Sequence, residues 1–225
     1  VVLTINLRGY GKSEEPKKFE TASDLNFTKD IENAVSYLAE NKDLEKIHLI
    51  SHSFATLFAV TEGINDARVS KLIALSPPLY PYINERYLAN MTKERKQKEV
   101  EGFIKYSHFS REMPLSLMQN LIKENNVESY IHKNLTKPLL IANGEMETEE
   151  QLTNAKNFVE HSNAELTTWK GIGHFYGLEA GTGSFYLVLN NRLIDIRTSG
   201  VLIQDTHVID KSIDDINNWL VKNEK

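Results

Sequence analysis

The sequence predicts an α/β fold of three layers with a mainly parallel sheet, and three observations carry that expectation. Short runs rich in β-branched and aliphatic residues recur at 1–7, 46–50, 69–75, 138–142 and 164–169. Amphipathic helical patterns separate several of them, and turns rich in Gly, Pro, Ser or Asn close them. Strands and helices that alternate at this spacing assemble as parallel βαβ units with helices on both faces of the sheet.

In order, Val1 to Leu7 reads as a buried strand, followed by the glycine-punctuated loop Arg8-Gly9-Tyr10-Gly11-Lys12-Ser13. From Phe27 the apolar residues Ile31, Ala34, Val35, Leu38 and Ala39 form a helical stripe, with Asn26 or Thr28 available as its cap. Lys46 to Ile50 is a strand that leads to a serine, and a helix is expected from about Phe54 to Glu62. Val69 to Leu75 is the next buried strand, closed by Ser76-Pro77-Pro78. Residues 1–78 thus form the first part of a core.

Between 79 and 137 the strand pattern stops, and helices are expected at Thr92 to Tyr106 and Leu115 to Asn125, beside Tyr80, Tyr82 and Tyr87. This segment reads as a helical lid. Its mixed-charge run from Lys93 to Lys98 is the solvated face of an exposed helix. Residues 138–225 resume the core: a strand at Pro138 to Ala142, a helix at Glu149 to His161 and a strand at Ala164 to Trp169. Three strand-like runs follow, Ser184 to Leu189, Arg192 to Thr198 and Val201 to Ile209, divided by the turn dipeptides Asn190-Asn191 and Ser199-Gly200. They predict a β-hairpin insertion over 184–209. A last helix is expected to start at Ser212, with Asp215 completing a capping box and Ile213, Ile216, Trp219 and Leu220 buried on one face.

Composition narrows the function classes. The chain of 225 residues is 40% hydrophobic and 25% charged, enough for one sizeable globular core. A net charge of -5 disfavours nucleic acid as a partner, and no apolar run approaches the roughly 18 residues of a membrane span. A soluble protein is expected. Zero cysteines exclude disulfides, thiolate metal sites and cysteine nucleophiles. They leave the compartment open, with the cytoplasm as the working expectation.

The segment Ser51-His52-Ser53-Phe54-Ala55 has the form of a strand, a sharp turn and a helix start, with small residues two positions either side of Ser53. In a Gly-x-Ser-x-Gly elbow the turn exposes the serine hydroxyl, and small neighbours let strand and helix pass closely. Here serine and alanine replace both glycines, and an ordinary helix N-cap serine is the alternative.

Taken together, Arg8-Gly9-Tyr10-Gly11-Lys12-Ser13, Ser51-His52-Ser53-Phe54-Ala55, Gly144-Glu145-Met146-Glu147 and Gly173-His174-Phe175 resemble, in their order and over nearly the whole chain, the α/β-hydrolase superfamily in its serine esterase and lipase-like branch. The resemblance implies a nucleophile, acid and base in chain order, met by Ser53, Glu147 and His174. Glutamate stands where an aspartate is usual, and Glu145 is the fallback acid. Of seven histidines, His174 alone follows a late strand in a Gly-x-Gly-His setting, whereas His52 reads as an elbow spacer. The backbone N–H of Phe54 would supply half of an oxyanion hole. The other half belongs to a loop after a strand that would lie between the first strand and the elbow strand. About forty or more residues ahead of Val1 are therefore expected.

The chemistry accounts for these residue types. A serine hydroxyl becomes nucleophilic when a neutral imidazole takes its proton, and a carboxylate fixes the imidazole tautomer. The expected function is a serine hydrolase that cleaves a carboxylic ester or related acyl bond of a small-molecule substrate, with neither cofactor nor metal. The alternative is a catalytically inactive ligand-binding or interaction protein of the same fold. The hairpins form either a homodimer contact or a decorative insertion.

Overall fold

The computed structural model describes residues 2–8, 13, 26–42, 44, 46–79, 103–105, 112–114, 127–170, 178–181, 184–189, 192–195 and 206–222. In chain order the elements are α1 (Phe27–Lys42), β1 (Ile47–His52), a 3-10 turn (Ser53–Ala55), α2 (Thr56–Asn65), β2 (Val69–Leu75), β3 (Phe103–Lys105) and β4 (Glu112–Pro114). They continue with α3 (Val127–Asn134), β5 (Leu139–Gly144), α4 (Glu149–Glu160), β6 (Glu165–Trp169), β7 (Leu178–Gly181), β8 (Ser184–Leu189), β9 (Arg192–Asp195) and α5 (Thr206–Lys222).

The central sheet has the order β1-β2-β5-β6, and every pairing in it is parallel. Side chains of β2 and β5 alternate between two cores, as the strand period requires. Leu72, Ala74, Leu139 and Ile141 face α1, α2, α3 and α4, where they meet Phe27, Ile31, Val35, Phe58, Ile131 and Phe158. Ile73 and Leu140 face the other way, onto Trp219 of α5. The three expected layers follow from this alternation.

Local chemistry sets the element ends. The Asn26 side chain caps α1 by accepting from Lys29 N at 2.9 Å. Thr148 and Gln151 form a full capping box at the start of α4. At the end of α2 the Lys137 ammonium donates to the carbonyls of Gly63, at 2.6 Å, and Asp66. The buried Lys71 ammonium donates to the Leu220 carbonyl in the last turn of α5, where the helix dipole favours a cation.

Several expectations need correction. Residues 2–7 form no strand, and Val2 is 90% exposed, although Leu7 packs on the core. A strand is stable only when a neighbour takes its backbone hydrogen bonds, and no described strand lies beside β1 on that edge. The helix expected over 92–106 is contradicted at Phe103–Lys105, which pairs antiparallel with Glu112–Pro114. The helix α3 was not anticipated, and the remainder of 80–126 lies outside the described residues. In the C-terminal part, β7 adds to β8 and β9 in a three-stranded antiparallel sheet, while α5 begins at Thr206, inside the expected third strand.

Within α5, Ser212 is therefore a buried helical residue rather than a cap. The face turned inward runs through Ser212, Ile216 and Trp219, leaving Ile213 49% exposed. Asp215 accepts from the indole Nε1 of Trp169 at 2.9 Å, which ties α5 to the end of β6.

Candidate active site

The site lies at the carboxyl ends of β1, β2 and β5, the end of a parallel α/β sheet at which ligands generally bind. At the end of β1 the backbone passes from extended geometry at His52 to a φ of 51° at Ser53. That left-handed conformation is uncommon for a residue other than glycine and costs about 1–2 kcal/mol. Ser53 is half-buried and opens the 3-10 turn that runs into α2.

The small residues expected around the turn have distinct positions. Ser51 is buried, and its hydroxyl donates to the Ile73 carbonyl of β2 at 3.3 Å. The closest helix-to-sheet approach lies further along α2, at Gly63. A Cβ there would stand 3.2 Å from Leu49 Cδ1 and overlap Leu72 Cδ2. Phe54, the residue after Ser53, is held by aromatic packing: its ring meets Phe58 at 5.2 Å and Phe27 at 6.3 Å, both edge-on. This cluster anchors the residue whose backbone N–H is the expected oxyanion donor.

The acid loop leaves β5 at Gly144. Glu145 and Met146 are exposed, whereas Glu147 turns inward and is 8% exposed. Its carboxylate accepts from Gly144 N at 3.1 Å and Asn143 Nδ2 at 3.0 Å, and it takes a short bond from the Ser76 hydroxyl. Those three donors lie on β5 and at the end of β2, so burial is matched by hydrogen bonds as an acidic group requires. Of the two candidate carboxylates, Glu147 is buried and Glu145 is exposed.

In the sequence Ser76 is only the first residue of the Ser76-Pro77-Pro78 turn that closes the strand. It is fully buried, has a φ of 47°, and its N–H donates to the Ala142 carbonyl at 2.7 Å. It directly follows Leu75, which pairs with His52, the residue before Ser53, so each serine comes immediately after the last paired residue of its strand. A hydroxyl-bearing residue directly after a buried strand was the signal available for it. Asn143, equally unanticipated, is 1% exposed, and its Oδ1 has no hydrogen-bond partner among the described residues.

His174 lies outside the described residues. The strand that leads towards it, β6, ends at Trp169 in register with Gly144, beside the acid loop, and Glu145 N donates to the Trp169 carbonyl at 2.9 Å. Three of the four expected site residues, Ser53, Phe54 and Glu147, therefore lie at the carboxyl end of the sheet. Among the described residues no group of three or more His, Cys, Asp or Glu side chains could hold a metal ion. No helix among them is long and apolar enough to cross a membrane.

No family model and no curated protein matches the chain. Among solved structures it is similar to the ferulic acid complex of Est1E from Butyrivibrio proteoclasticus, at 20% identity over 76% of this chain and 68% of that one, with a TM-score of 0.53. DcsB in complex with its substrate analogue matches at 18% identity over 74% and 70%, with a TM-score of 0.54. A hypothetical protein of Pseudomonas aeruginosa, PA2218, matches at 12% identity over 74% and 66%, with a TM-score of 0.51. The chain thus spans about two-thirds of the length of these structures.

Proposed function

The chain has the α/β-hydrolase fold, and on that premise we propose that it is a serine hydrolase acting on a carboxylic ester or related acyl bond of a small molecule. The observation that supports this reading most strongly is the backbone of Ser53, which departs from β1 at a φ of 51° at the same end of the sheet as the buried Glu147. An N-cap serine takes extended backbone geometry. Ser53 does not, and the residue that precedes the turn here is His52.

In this reading Ser53 Oγ attacks the acyl carbonyl while His174 accepts its proton. Glu147 holds the imidazole in the tautomer that can do so and stabilises the imidazolium that results. The Phe54 N–H donates to the oxyanion of the tetrahedral intermediate. As the intermediate collapses, the leaving alcohol takes the proton from His174 and an acyl ester remains on Ser53. Water then repeats the sequence, with His174 as general base, and releases the acid. Serine as nucleophile gives an acyl-enzyme, and the alkyl-enzyme esters of dehalogenase chemistry would need a carboxylate at that position.

A tagged fluorophosphonate tests the proposal. The folded protein should form one covalent adduct, mapped to Ser53 and absent in Ser53→Ala. Hydrolysis of p-nitrophenyl esters should disappear in the same variant. Absence of the adduct from folded protein would overturn the proposal and favour a ligand-binding protein without turnover.

A further inference from the structure

Two residues other than glycine adopt a positive φ among the described residues, and both are serines that directly follow the paired strands β1 and β2 at the carboxyl end of the sheet: Ser53 at 51° and Ser76 at 47°. The first has a role in the reading above. The second has none, yet it holds the same costly conformation in a fully buried position.

The side chain of Ser76 supplies a reason. Its hydroxyl donates to Glu147 Oε1, the oxygen that also accepts from Gly144 N. Oε2 accepts from Asn143 Nδ2. The carboxylate is thus held from the end of β2 as well as from its own strand, β5. The N–H of Ser76 is meanwhile locked onto Ala142 of β5 at 2.7 Å. A glutamate side chain has one more rotatable bond than an aspartate, so orienting its carboxylate needs an additional restraint. The hydroxyl stands where it can provide one.

We infer that Ser76 is a positioning residue: its hydroxyl, presented by a left-handed turn, fixes the carboxylate of Glu147 for pairing with the base. The inference rests on the reading of Glu147 as the acid. It also accounts for the strain, because an extended or helical Ser76 would change the direction of the hydroxyl.

Two variants separate the hydroxyl from the backbone. Ser76→Gly removes the hydroxyl and suits the positive φ, whereas Ser76→Ala removes it and keeps the strain. Both should lower kcat about tenfold, as expected for loss of a hydrogen bond to a charged group, with KM unchanged. The rate of fluorophosphonate labelling of Ser53 should fall by a similar factor. Thermal stability should differ between the two variants, with Gly the higher.

Activity that followed stability, with Ser76→Gly near the unaltered protein and Ser76→Ala depressed, would overturn the inference. Unchanged kcat and labelling in both variants would do the same. Glu147→Gln provides the separation from the underlying reading. If it leaves kcat and labelling intact, or if the unaltered protein is not labelled, the acid assignment and this inference fall together. If Glu147→Gln depresses both while Ser76→Gly does not, only the role of Ser76 is refuted.

Discussion

Replacing Ser53 by glycine and by alanine gives two proteins that both lack the hydroxyl and differ in how they tolerate a φ of 51°. An L-residue in the left-handed region carries about 1–2 kcal/mol of strain, and glycine carries essentially none. Against this, the unfolded glycine chain is favoured by about 0.4–1 kcal/mol of backbone entropy. The balance favours Ser53→Gly over Ser53→Ala by about 0.5–1 kcal/mol. For a chain of 225 residues that is a difference in Tm of about 1–4 °C. Circular dichroism or scanning calorimetry on the purified variants would measure it. A control lies within α2 at Glu62, where the alanine variant should melt above the glycine variant, because helical backbone favours alanine. A Tm for Ser53→Gly equal to or below that of Ser53→Ala would refute the strained turn, and with it the main support for Ser53 as nucleophile.

Gly63→Ala should destabilise the protein in spite of alanine's better helix propensity. The added Cβ would overlap the Leu72 side chain, which is 1% exposed and has Leu49 close by. Overpacking of this kind costs about 1–3 kcal/mol, against roughly 1 kcal/mol gained in the helix, so a denaturant midpoint at or above that of the unaltered protein would contradict the close approach. Asp66 provides a test by pH. Its hydrogen bond from the Arg68 side chain holds the carboxyl below its usual range; burial opposes this, while the Arg68 backbone N–H and the charges of Arg68 and Lys137 assist. A depressed folded pKa contributes stability that is present above the unfolded value of about 3.9 and is lost as pH falls through the folded value. Asp66→Asn should therefore lower Tm at neutral pH by an amount that shrinks as pH falls below the unfolded value, and a gap that stayed constant would refute the linkage.

The parts of the fold visible in the sequence are those whose pattern is local. The stripe of Phe27, Ile31 and Val35 in α1 and the apolar run of β2 needed only their own spacing to be recognised. Where a neighbour decides the outcome, the pattern misled. Residues 2–7 have strand composition but no described strand beside them, and their apolar side chains at Val2, Leu3 and Ile5 are exposed. Residues 206–209 include β-branched side chains yet belong to α5, because context overrides so weak a propensity. The inward face of that helix was also displaced from the expected one. Trp219 enters the core beside Ile73 and Leu140, Asp215 meets Trp169, and Ile213 is left at the margin.

The candidate site divides in the same way. The order of Ser53, Glu147 and His174, the small residues around Ser53 and the strand before it are properties of the chain alone, because they depend on residue type and spacing. Tertiary structure decided the burial of Glu147 beside an exposed Glu145, the close approach at Gly63 and the hydrogen bond from Ser76 to Glu147. Each of these depends on parallel strands distant in sequence being paired, with His52, Leu75 and Ala142 joined in register at the residues just before Ser53, Ser76 and Asn143. The direction of a carboxylate or hydroxyl there is set by hydrogen bonds across strands, and those form only once the sheet has assembled.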